Sequence, residues 1–395
     1  MIGRPVPPVP NALNRIKDRA RQQQAAAQPA DAPVRALGIV QEHGPLEALE
    51  IPRRTPGARD VRIEIEFCGL CHSDVHAGRG EWGAKRLPLV PGHEIVGIVS
   101  HVGDDVTDLA VGERVGVGCL VDSCRSCEAC AQGLEQFCSK SVGTYGARNY
   151  STGEYTQGGY SQAVVVDRDF VLRIPDSLDP AAAAPLLCAG ITTYSPLRHH
   201  NIGPGSTVGV LGLGGLGHMA VKLAKAMGAT VTVFTRGEAK RASALELGAQ
   251  QVINTLDDDA LAHAANSLNL IIDTVAAPHN IDPYVRILKR DGALVQLSLP
   301  AGAMPEFDIR PLLFKRISYT GSLIGSISET QEMLEFCAEH GITSDIEIID
   351  AASINEAWDR MVASDVKYRF VLDLATLDAP ALAGDTIGNT AKESA

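Results

Sequence analysis

The chain has 395 residues, of which 45% are apolar and 21% charged, a composition typical of a globular protein with room for two domains. Its formal net charge of −12 argues against nucleic acid or an anionic membrane as the main partner, because phosphates would be repelled. No apolar run approaches the roughly 18 residues of a membrane span, and the N-terminus lacks a hydrophobic signal region. Nine cysteines without such a signal predict a reducing compartment, and hence a cytoplasmic protein whose thiols bind metal.

The two ends of the chain differ from the rest. Residues 1–33 are rich in proline, glutamine and alanine and show no apolar period, which predicts a disordered tail. Residues 378–395 are predicted to form a second, flexible tail.

The first half of the remaining chain is predicted to be rich in strands. Val61, Ile63, Ile65 and Phe67 alternate with charged residues, which is the period of a half-buried strand. Short β-type runs separated by glycine and proline continue to about residue 174. We therefore expect a barrel-like domain here.

Strands and helices alternate after residue 188. A predicted strand at 208–211 leads into a glycine-rich turn, a helix with a regular apolar face follows, and further strands are expected at 231–234, 270–275 and 293–299. Such alternation indicates a doubly wound parallel sheet, the Rossmann fold of the α/β class. From the pattern alone, the segment after about residue 328 fits either domain.

A group of four cysteines has the spacing of a metal site. Two, two and seven residues separate Cys124, Cys127, Cys130 and Cys138, so four thiolates can reach one tetrahedral ion. Zinc held by four sulfurs is a structural site, because no position is left for a substrate. The alternative interpretation is a group of buried or redox-active cysteines.

A second, dispersed set consists of Cys71, His93 and Cys188. Two thiolates and one imidazole leave the fourth tetrahedral position for water or a substrate oxygen, as in catalytic zinc sites of alcohol dehydrogenases. These residues lie far apart in the chain, and Cys188 by itself fits packing in a core equally well.

The glycine-rich turn is predicted to bind a dinucleotide because it follows a strand and opens a helix. Its glycines would let the backbone approach a pyrophosphate at the helix N-terminus. The turn consists of Gly212, Leu213, Gly214, Gly215, Leu216 and Gly217. Together with the two metal sites, this turn points to metal-assisted hydride transfer.

The end of the next predicted strand indicates the choice of dinucleotide. NAD enzymes usually place an acidic residue there, whereas this chain has Thr235, Arg236 and Lys240. A hydroxyl and two cations suit a 2′-phosphate and therefore favour NADP. Glu238 is the one opposing charge, and it keeps NAD open as the alternative.

Several motifs resemble those of a known family. Gly92-His93-Glu94, with Gly97 and Gly103 after it, is similar to the zinc signature of medium-chain dehydrogenases/reductases. Motifs that begin at Cys71, Gly118, Leu187 and Lys367 resemble the cinnamyl alcohol dehydrogenase branch, most closely its bacterial NADPH-dependent aldehyde reductases. The resemblance runs from about residue 35 to 375. It implies a GroES-like zinc-binding catalytic domain at 34–189 and 327–377, and an NADP-binding Rossmann domain at 190–326.

The resemblance also implies roles for individual residues around the metal. Cys71, His93 and Cys188 would hold catalytic zinc, with Glu94 as an alternative or outer ligand. Asp74 would orient the zinc-binding histidine, a role that is compatible with capping a helix.

Proton transfer and cofactor binding follow from the same resemblance. Ser73 would take the proton of the alcohol, and His76 would pass it through the cofactor ribose to solvent; a plain surface histidine is the alternative for His76. His72 would stand near the pyrophosphate. Further cofactor contacts are expected from Thr192, Thr274, Val275, Ala276, Ser298, Ser322, Leu323, Ile324 and Arg369. The substrate pocket is expected to include Trp82, Cys119, Tyr145, Leu323 and Ile324.

These observations predict a zinc-dependent, NADP-linked oxidoreductase that reduces aldehydes to primary alcohols, with two zinc ions per chain. The family implies a homodimer formed near residues 317–322. Leu323 stands where plant enzymes of the branch have a bulky aromatic residue, so the physiological aldehyde stays open.

Four alternative functions would each need particular sequence features. An NAD-linked alcohol dehydrogenase depends on Glu238. A zinc-free quinone or enoyl reductase would lack the dispersed ligands. A zinc knuckle for nucleic acid is disfavoured because its lobe carries Asp122, Glu128 and Glu135. A thiol-redox site would need an isolated pair of cysteines.

Overall fold

The fold is described by a computed structural model that covers residues 33–83, 85–300 and 302–378. The predicted tails at 1–33 and 378–395 lie outside the described residues, apart from Pro33 and Asp378.

Strands and helices follow one another along this whole stretch. The strands are β1 (Val34–Ile39), β2 (Leu46–Ile51), β3 (Asp60–Gly69), β4 (Ile95–Val102), β5 (Arg114–Val117), β6 (Leu120–Asp122), β7 (Val142–Gly143), β8 (Ala163–Asp167), β9 (Leu172–Arg173), β10 (Thr207–Leu211), β11 (Thr230–Thr235), β12 (Gln251–Asn254), β13 (Leu268–Asp273), β14 (Leu288–Gln296), β15 (Ser318–Gly321), β16 (Ile346–Ile349) and β17 (Arg369–Asp373). The α-helices are α1 (His72–Gly78), α2 (Glu128–Ala131), α3 (Pro180–Ala183), α4 (Ala189–His199), α5 (Gly215–Ala226), α6 (Glu238–Leu247), α7 (Asp258–His263), α8 (Asp282–Ile287), α9 (Arg310–Lys315), α10 (Ile327–His340) and α11 (Ile354–Val362). Short 3-10 turns lie at Glu135–Phe137, Arg168–Phe170, Ala184–Leu187, Ala351–Ser353 and Leu374–Asp378.

The strand-rich part is built around β3. This strand pairs antiparallel with β4, β8 and β17 in a seven-stranded sheet. Six of the strands follow the order β16-β17-β3-β4-β5-β9, and β8 pairs with β3 outside this order. Register shifts at Arg62/Ile63 and Ile65/Phe67 mark bulges, which bend a sheet and increase its twist. Arg62 departs from the expected alternation: it is buried, and its guanidinium donates to Glu64 at 2.8 Å. The GroES-like, barrel-like prediction is confirmed.

The second part contains a six-stranded parallel sheet of order β12-β11-β10-β13-β14-β15. Counted from its own first strand, this order is 3-2-1-4-5-6, the doubly wound arrangement in which ligands bind where the order reverses. That switch point lies between β10 and β13, whose partners include Leu211 opposite Asp273. The predicted Rossmann sheet is therefore confirmed.

The C-terminal segment is shared between the two cores. Met333, Leu334 and Cys337 of α10 pack in the cluster that covers the parallel sheet. Trp358 of α11 and Phe370 of β17 pack instead in the barrel cluster. The chain thus returns to the barrel after α10, and the exact domain limits stay predictions.

Two further observations concern the cysteines and the helices. All nine cysteines lie among the described residues, and none forms a disulfide. Within the described part of the chain, every helix is too short or too polar to cross a lipid bilayer.

Candidate active site and metal centres

Three distant segments bring four metal-binding side chains to one point. Cys71 precedes α1, His93 and Glu94 precede β4, and Cys188 precedes α4. Their ligand atoms all lie within 4.8 Å of one another, and His93, Glu94 and Cys188 are buried. The structure therefore brings together Cys71, His93 and Cys188, together with the expected alternative ligand Glu94.

A buried carboxylate fixes the orientation of the histidine. Asp74 is fully buried, and its Oδ1 atom accepts from Gly92 N at 3.2 Å and from His93 Nδ1 at 3.2 Å. Its Oδ2 atom accepts from Cys71 N and from the Tyr160 hydroxyl, each at 2.9 Å. Because Nδ1 is used, Nε2 of His93 is left for a metal ion. Asp74 both caps α1 and orients the ring, and Tyr160 is a supporting residue that the sequence analysis missed.

The fourth side chain of the cluster carries an unpartnered oxygen. Oε1 of Glu94 accepts from Arg369 at 2.5 Å, whereas its buried Oε2 atom has no hydrogen-bond partner among the described residues. Burial raises the pKa of Glu94 to about 7, although the Arg369 guanidinium acts in the opposite direction. An unsatisfied buried carboxylate oxygen costs free energy unless it finds a donor or a cation.

The lowered pKa of one thiol in this cluster also favours the binding of a cation. A hydrogen bond from Cys188 lowers the pKa of Cys71 well below its ordinary value, and the His93 ring adds to that effect. Thiolate, not thiol, is the metal ligand. Two sulfurs, one imidazole and one carboxylate make a donor set that fits zinc.

The other four cysteines form a second, closed cluster. Their sulfurs lie within 4.8 Å of one another, in the lobe between β6 and β7. Main-chain N–H groups of Ser126 and Cys127 lower the pKa of Cys124 to about 6, and Lys140 N donates to Cys138 Sγ at 3.3 Å. Four sulfurs without an oxygen ligand match a structural zinc site. This set consists of Cys124, Cys127, Cys130 and Cys138.

The residues expected to handle protons lie on α1 and just after it. The hydroxyl of Ser73 is 3.6 Å from Cys71 Sγ. Nδ1 of His76 is 2.5 Å from a carboxylate oxygen of Glu81, whose side chain is 44% exposed. Glu81 therefore connects His76 to solvent. The sequence analysis did not single it out, although an acid five residues after His76 was visible. His72, at the start of α1, is exposed.

The glycine turn leaves open space where a pyrophosphate would bind. A Cβ atom on Gly217 would lie 2.2 Å from the Gly212 carbonyl oxygen, and Gly212 itself has a φ of +91°. No atom of the residues that the structure describes lies within 4 Å of a Cβ on Gly214. The turn is therefore tightly packed where Gly217 meets Gly212 and open at Gly214. The open side lies at the N-terminus of the twelve-residue helix α5, where a pyrophosphate can bind.

Of the remaining predicted cofactor residues, Thr274 and Val275 lie against this turn, because a Cβ on Gly212 would be 2.8 Å from the first and 3.3 Å from the second. Ser298 donates to the carbonyl oxygen of Thr274 at 2.9 Å, and Ser322 N donates to Gln296 O at 3.2 Å. Thr192 is buried in α4, Val275 and Ala276 follow β13, and Leu323 and Ile324 precede α10.

The predicted phosphate and pyrophosphate contacts have different exposures. Thr235 is buried at the end of β11, whereas Arg236 and Lys240 are exposed. Arg369 is buried against Glu94, yet its Cδ atom would be 2.8 Å from a Cβ on Gly215. Arg369 thus lies between the metal cluster and the glycine turn.

Two of the predicted pocket residues lie beside the metal cluster, and a third lies beside His76. The ring of Tyr145 is 5.8 Å from that of His93, and Trp82 is 5.0 Å from His76. A hydrogen bond with Cys188 lowers the pKa of Cys119, so this thiol also borders the cluster. Leu323 is 53% exposed, in keeping with a position at a surface or cleft.

The same arrangement has counterparts among known proteins. Residues 57–176 match the alcohol dehydrogenase GroES-like domain family, and residues 215–339 match the zinc-binding dehydrogenase family. The chain is 53% identical to aldehyde reductase YahK of Escherichia coli over 345 residues, which cover 87% of this chain and 99% of that protein. It is 56% identical to NADP-dependent alcohol dehydrogenase C 1 of Mycolicibacterium smegmatis over 335 residues, or 84% of this chain and 95% of that protein.

A solved structure extends the likeness to three dimensions. A cinnamyl alcohol dehydrogenase from Sorghum bicolor superposes with a TM-score of 0.84 at 42% identity, covering 87% of this chain and 98% of that one. The chain belongs to the zinc-dependent medium-chain dehydrogenase/reductase family, in its cinnamyl alcohol dehydrogenase branch.

Proposed function

We propose that the protein reduces aldehydes reversibly to primary alcohols with NADPH, using one catalytic zinc ion. The observation that carries this proposal is the cluster of Cys71, His93, Glu94 and Cys188 next to a glycine turn of dinucleotide-binding geometry. The names of two relatives, which specify an aldehyde reductase and an NADP-dependent alcohol dehydrogenase, support the same reaction.

The metal site would activate the carbonyl group of the substrate. A zinc ion held there would supply a Lewis acid for the carbonyl oxygen of the substrate. Cys71, His93 and Cys188 would hold the ion, and Asp74 keeps Nε2 of His93 available. The unpartnered oxygen of Glu94 offers a fourth ligand while no substrate is present. The four-cysteine lobe would hold a structural zinc ion.

The nucleotide site supplies orientation and selectivity. NADPH provides the hydride, while the fold provides placement and charge. The glycine turn would receive the pyrophosphate at the N-terminus of α5. Arg236 and Lys240, both exposed at the end of the neighbouring strand, would bind the 2′-phosphate.

Proton delivery is assigned to α1. Ser73 would donate its hydroxyl proton to the nascent alcohol, because its oxygen lies 3.6 Å from a metal-binding sulfur. His76 would replace that proton, and Glu81 would connect His76 to solvent. Trp82, Cys119 and Tyr145 would form the wall next to the reacting carbon.

We also propose that the protein is a cytoplasmic homodimer. Strand β15 ends the parallel sheet, so that one of its edges is unpaired within the described chain. Beside it, Ile309, Leu313 and Phe314 are exposed, the last by 84%. Exposed apolar side chains next to an open strand edge are typical of a protein interface. Light scattering on the purified protein would measure the mass.

A steady-state screen tests the reaction. Aromatic and aliphatic aldehydes are offered with NADPH and with NADH to the wild-type protein and to Cys188→Ser, with circular dichroism as the check on folding. We expect NADPH-dependent reduction by the wild type, and a folded variant that has lost one zinc ion and its activity. Full activity of zinc-depleted protein would contradict the proposal, and equal use of NADH would contradict the NADP assignment.

A further inference from the structure

An ion pair at the end of the central parallel strand takes no part in the steps described above. Asp273 is the last residue of β13 and is fully buried. Its Oδ2 atom lies 2.9 Å from Nε2 of His279, and its Oδ1 atom accepts from Val275 N at 3.0 Å. Both carboxylate oxygens are therefore used within the loop of residues 274–280, which follows β13 and leads through Ile281 to α8.

The second nitrogen of the histidine determines where the protons are. Nδ1 of His279 lies 2.9 Å from the carbonyl oxygen of Ala277, which only accepts hydrogen bonds, so Nδ1 must carry a proton. If Nε2 carried none, its lone pair would face a carboxylate oxygen at 2.9 Å. The contact is therefore a hydrogen bond only when a proton lies between Nε2 and Oδ2, as in an imidazolium–carboxylate pair.

The loop that this pair closes packs against the glycine turn. Thr274 donates through its hydroxyl to Leu211 O at 2.8 Å, and a Cβ on Gly212 would lie 2.8 Å from that hydroxyl and 3.3 Å from Val275. The first half of the loop is thus tied to the turn directly. The second half is different: Ala276, Ala277 and Pro278 are exposed, and His279 is the inward-facing residue after them.

The groups around His279 favour the charged form. The hydrogen bond with Asp273 raises the pKa of His279, and partial burial and Arg236 oppose this rise. Arg236 approaches from the end of β11, and Tyr284 approaches from α8 with its ring 6.5 Å away. Tyr284 stays neutral, because burial raises its pKa to about 12. Asp273 is thus the anion that balances the imidazolium.

We propose that His279, through Asp273, is a positioning residue for the dinucleotide: the pair holds the loop of residues 274–280 against the glycine turn before the cofactor binds. The inference rests on the proposed NADPH-dependent function. A loop that is ordered in advance does not have to be ordered on binding, so affinity rises without any contact between His279 and the cofactor. Since the pair balances its own charge, it should raise the affinities for NADPH and NADH equally. Arg236, in contrast, should raise the affinity for NADPH alone.

The sign of the pH dependence follows from the raised pKa. The imidazolium is present below the pKa of the folded protein, and the stabilisation is lost as the pH rises through that value. Cofactor affinity should therefore fall at alkaline pH in the wild type. In Asp273→Asn the amide NH2 can donate to a neutral imidazole, so the loop should stay closed and this alkaline fall should disappear.

The test measures the dissociation constants of NADPH and NADH by fluorescence titration, from pH 7 to pH 10. The variants are His279→Leu and Asp273→Asn, with His263→Leu as the matched control, because His263 is exposed and its ring bonds to the carbonyl oxygen of Asp259 rather than to a carboxylate. At pH 7 we expect His279→Leu to weaken both cofactors about ten-fold, the scale of one lost charge-assisted hydrogen bond. The turnover number at saturating NADPH should stay within about two-fold, since the loop acts on binding.

The outcomes separate this inference from the proposed function. Dissociation constants of His279→Leu that match those of His263→Leu would overturn the positioning role, and so would a thermal shift without a change in affinity. A ten-fold loss for NADPH with none for NADH would also overturn it, because it would indicate a contact with the 2′-phosphate. A wild type that binds NADPH but reduces no aldehyde would overturn the reaction alone and leave this comparison valid.

Discussion

The most informative single change near the metal is Asp74→Asn. The carboxylate accepts four hydrogen bonds, from Cys71 N, Gly92 N, His93 Nδ1 and the Tyr160 hydroxyl. An amide presents only one oxygen, and its NH2 group must face either the pair on Oδ1 or the pair on Oδ2. Each pair contains a main-chain N–H, so every orientation leaves one buried N–H without an acceptor.

The size of the effect follows from that count. A buried N–H without an acceptor costs about 1–3 kcal/mol, and each remaining bond falls from about 1.5–3 to about 0.5–1.5 kcal/mol because it loses its charge. With two such bonds, the free energy of unfolding should drop by about 3–6 kcal/mol. The affinity for the catalytic zinc should fall about ten- to hundred-fold, the usual effect of losing a partner of a metal-bound histidine.

Tyr160→Phe is the matched comparison. It removes one of the same four hydrogen bonds but leaves the carboxylate facing His93. It should lower the free energy of unfolding by about 1.5–3 kcal/mol and change zinc affinity little. Urea denaturation measures stability, and competition with a chromogenic chelator measures zinc affinity. If both variants bind catalytic zinc equally well, Asp74 does not act through His93 and the reasoning is wrong.

Three further outcomes are expected. A chelator should remove zinc from the open cluster first and abolish activity while the fold persists, as zinc analysis and circular dichroism would show; release of both ions together would contradict this order. Ser73→Ala should lower turnover about 10²- to 10⁴-fold without weakening NADPH binding; unchanged turnover, with hydride transfer shown to be rate-limiting by a deuterium isotope effect, would exclude Ser73 from proton transfer. Arg236→Ala should raise the Michaelis constant for NADPH about ten- to hundred-fold and leave NADH kinetics unchanged, because only NADPH carries the 2′-phosphate. A wild type that already uses NADH equally well would point to Glu238 as the ribose ligand.

Features that depend on residues close together in the chain were predictable from the sequence. The four cysteines of the lobe fall within fifteen positions, so their spacing alone indicated a metal site. The alternation of strands and helices after residue 188 predicted the parallel sheet, and the glycine turn fell at its switch point. In each case the physical cause, a ligand geometry or a repeat of buried side chains, acts over a short stretch of chain.

Contacts made across the fold were not predictable in this way. Tyr160 reaches Asp74 over 86 positions, and Arg369 reaches Glu94 over 275. Neither hydrophobic periodicity nor residue spacing in the sequence indicates such pairs, because the pairs depend on how distant segments pack in the fold. Residue spacing alone left Cys188 open and only the family resemblance implied it as a ligand; in the fold its sulfur lies within 4.8 Å of the ligand atoms of Cys71 and His93.

The position of Arg369 limits how freely the two halves of such a protein can be recombined. Its guanidinium is bonded to Glu94 and to the carbonyl oxygen of Leu70, while its aliphatic stem fills the space that a side chain at Gly215 would need. Arg369 of the barrel thus leaves no space for a side chain at position 215 of the glycine turn. A chimera that exchanges the nucleotide half must therefore keep a glycine at position 215, or the arginine will be displaced and Glu94 will lose the guanidinium that pairs with it.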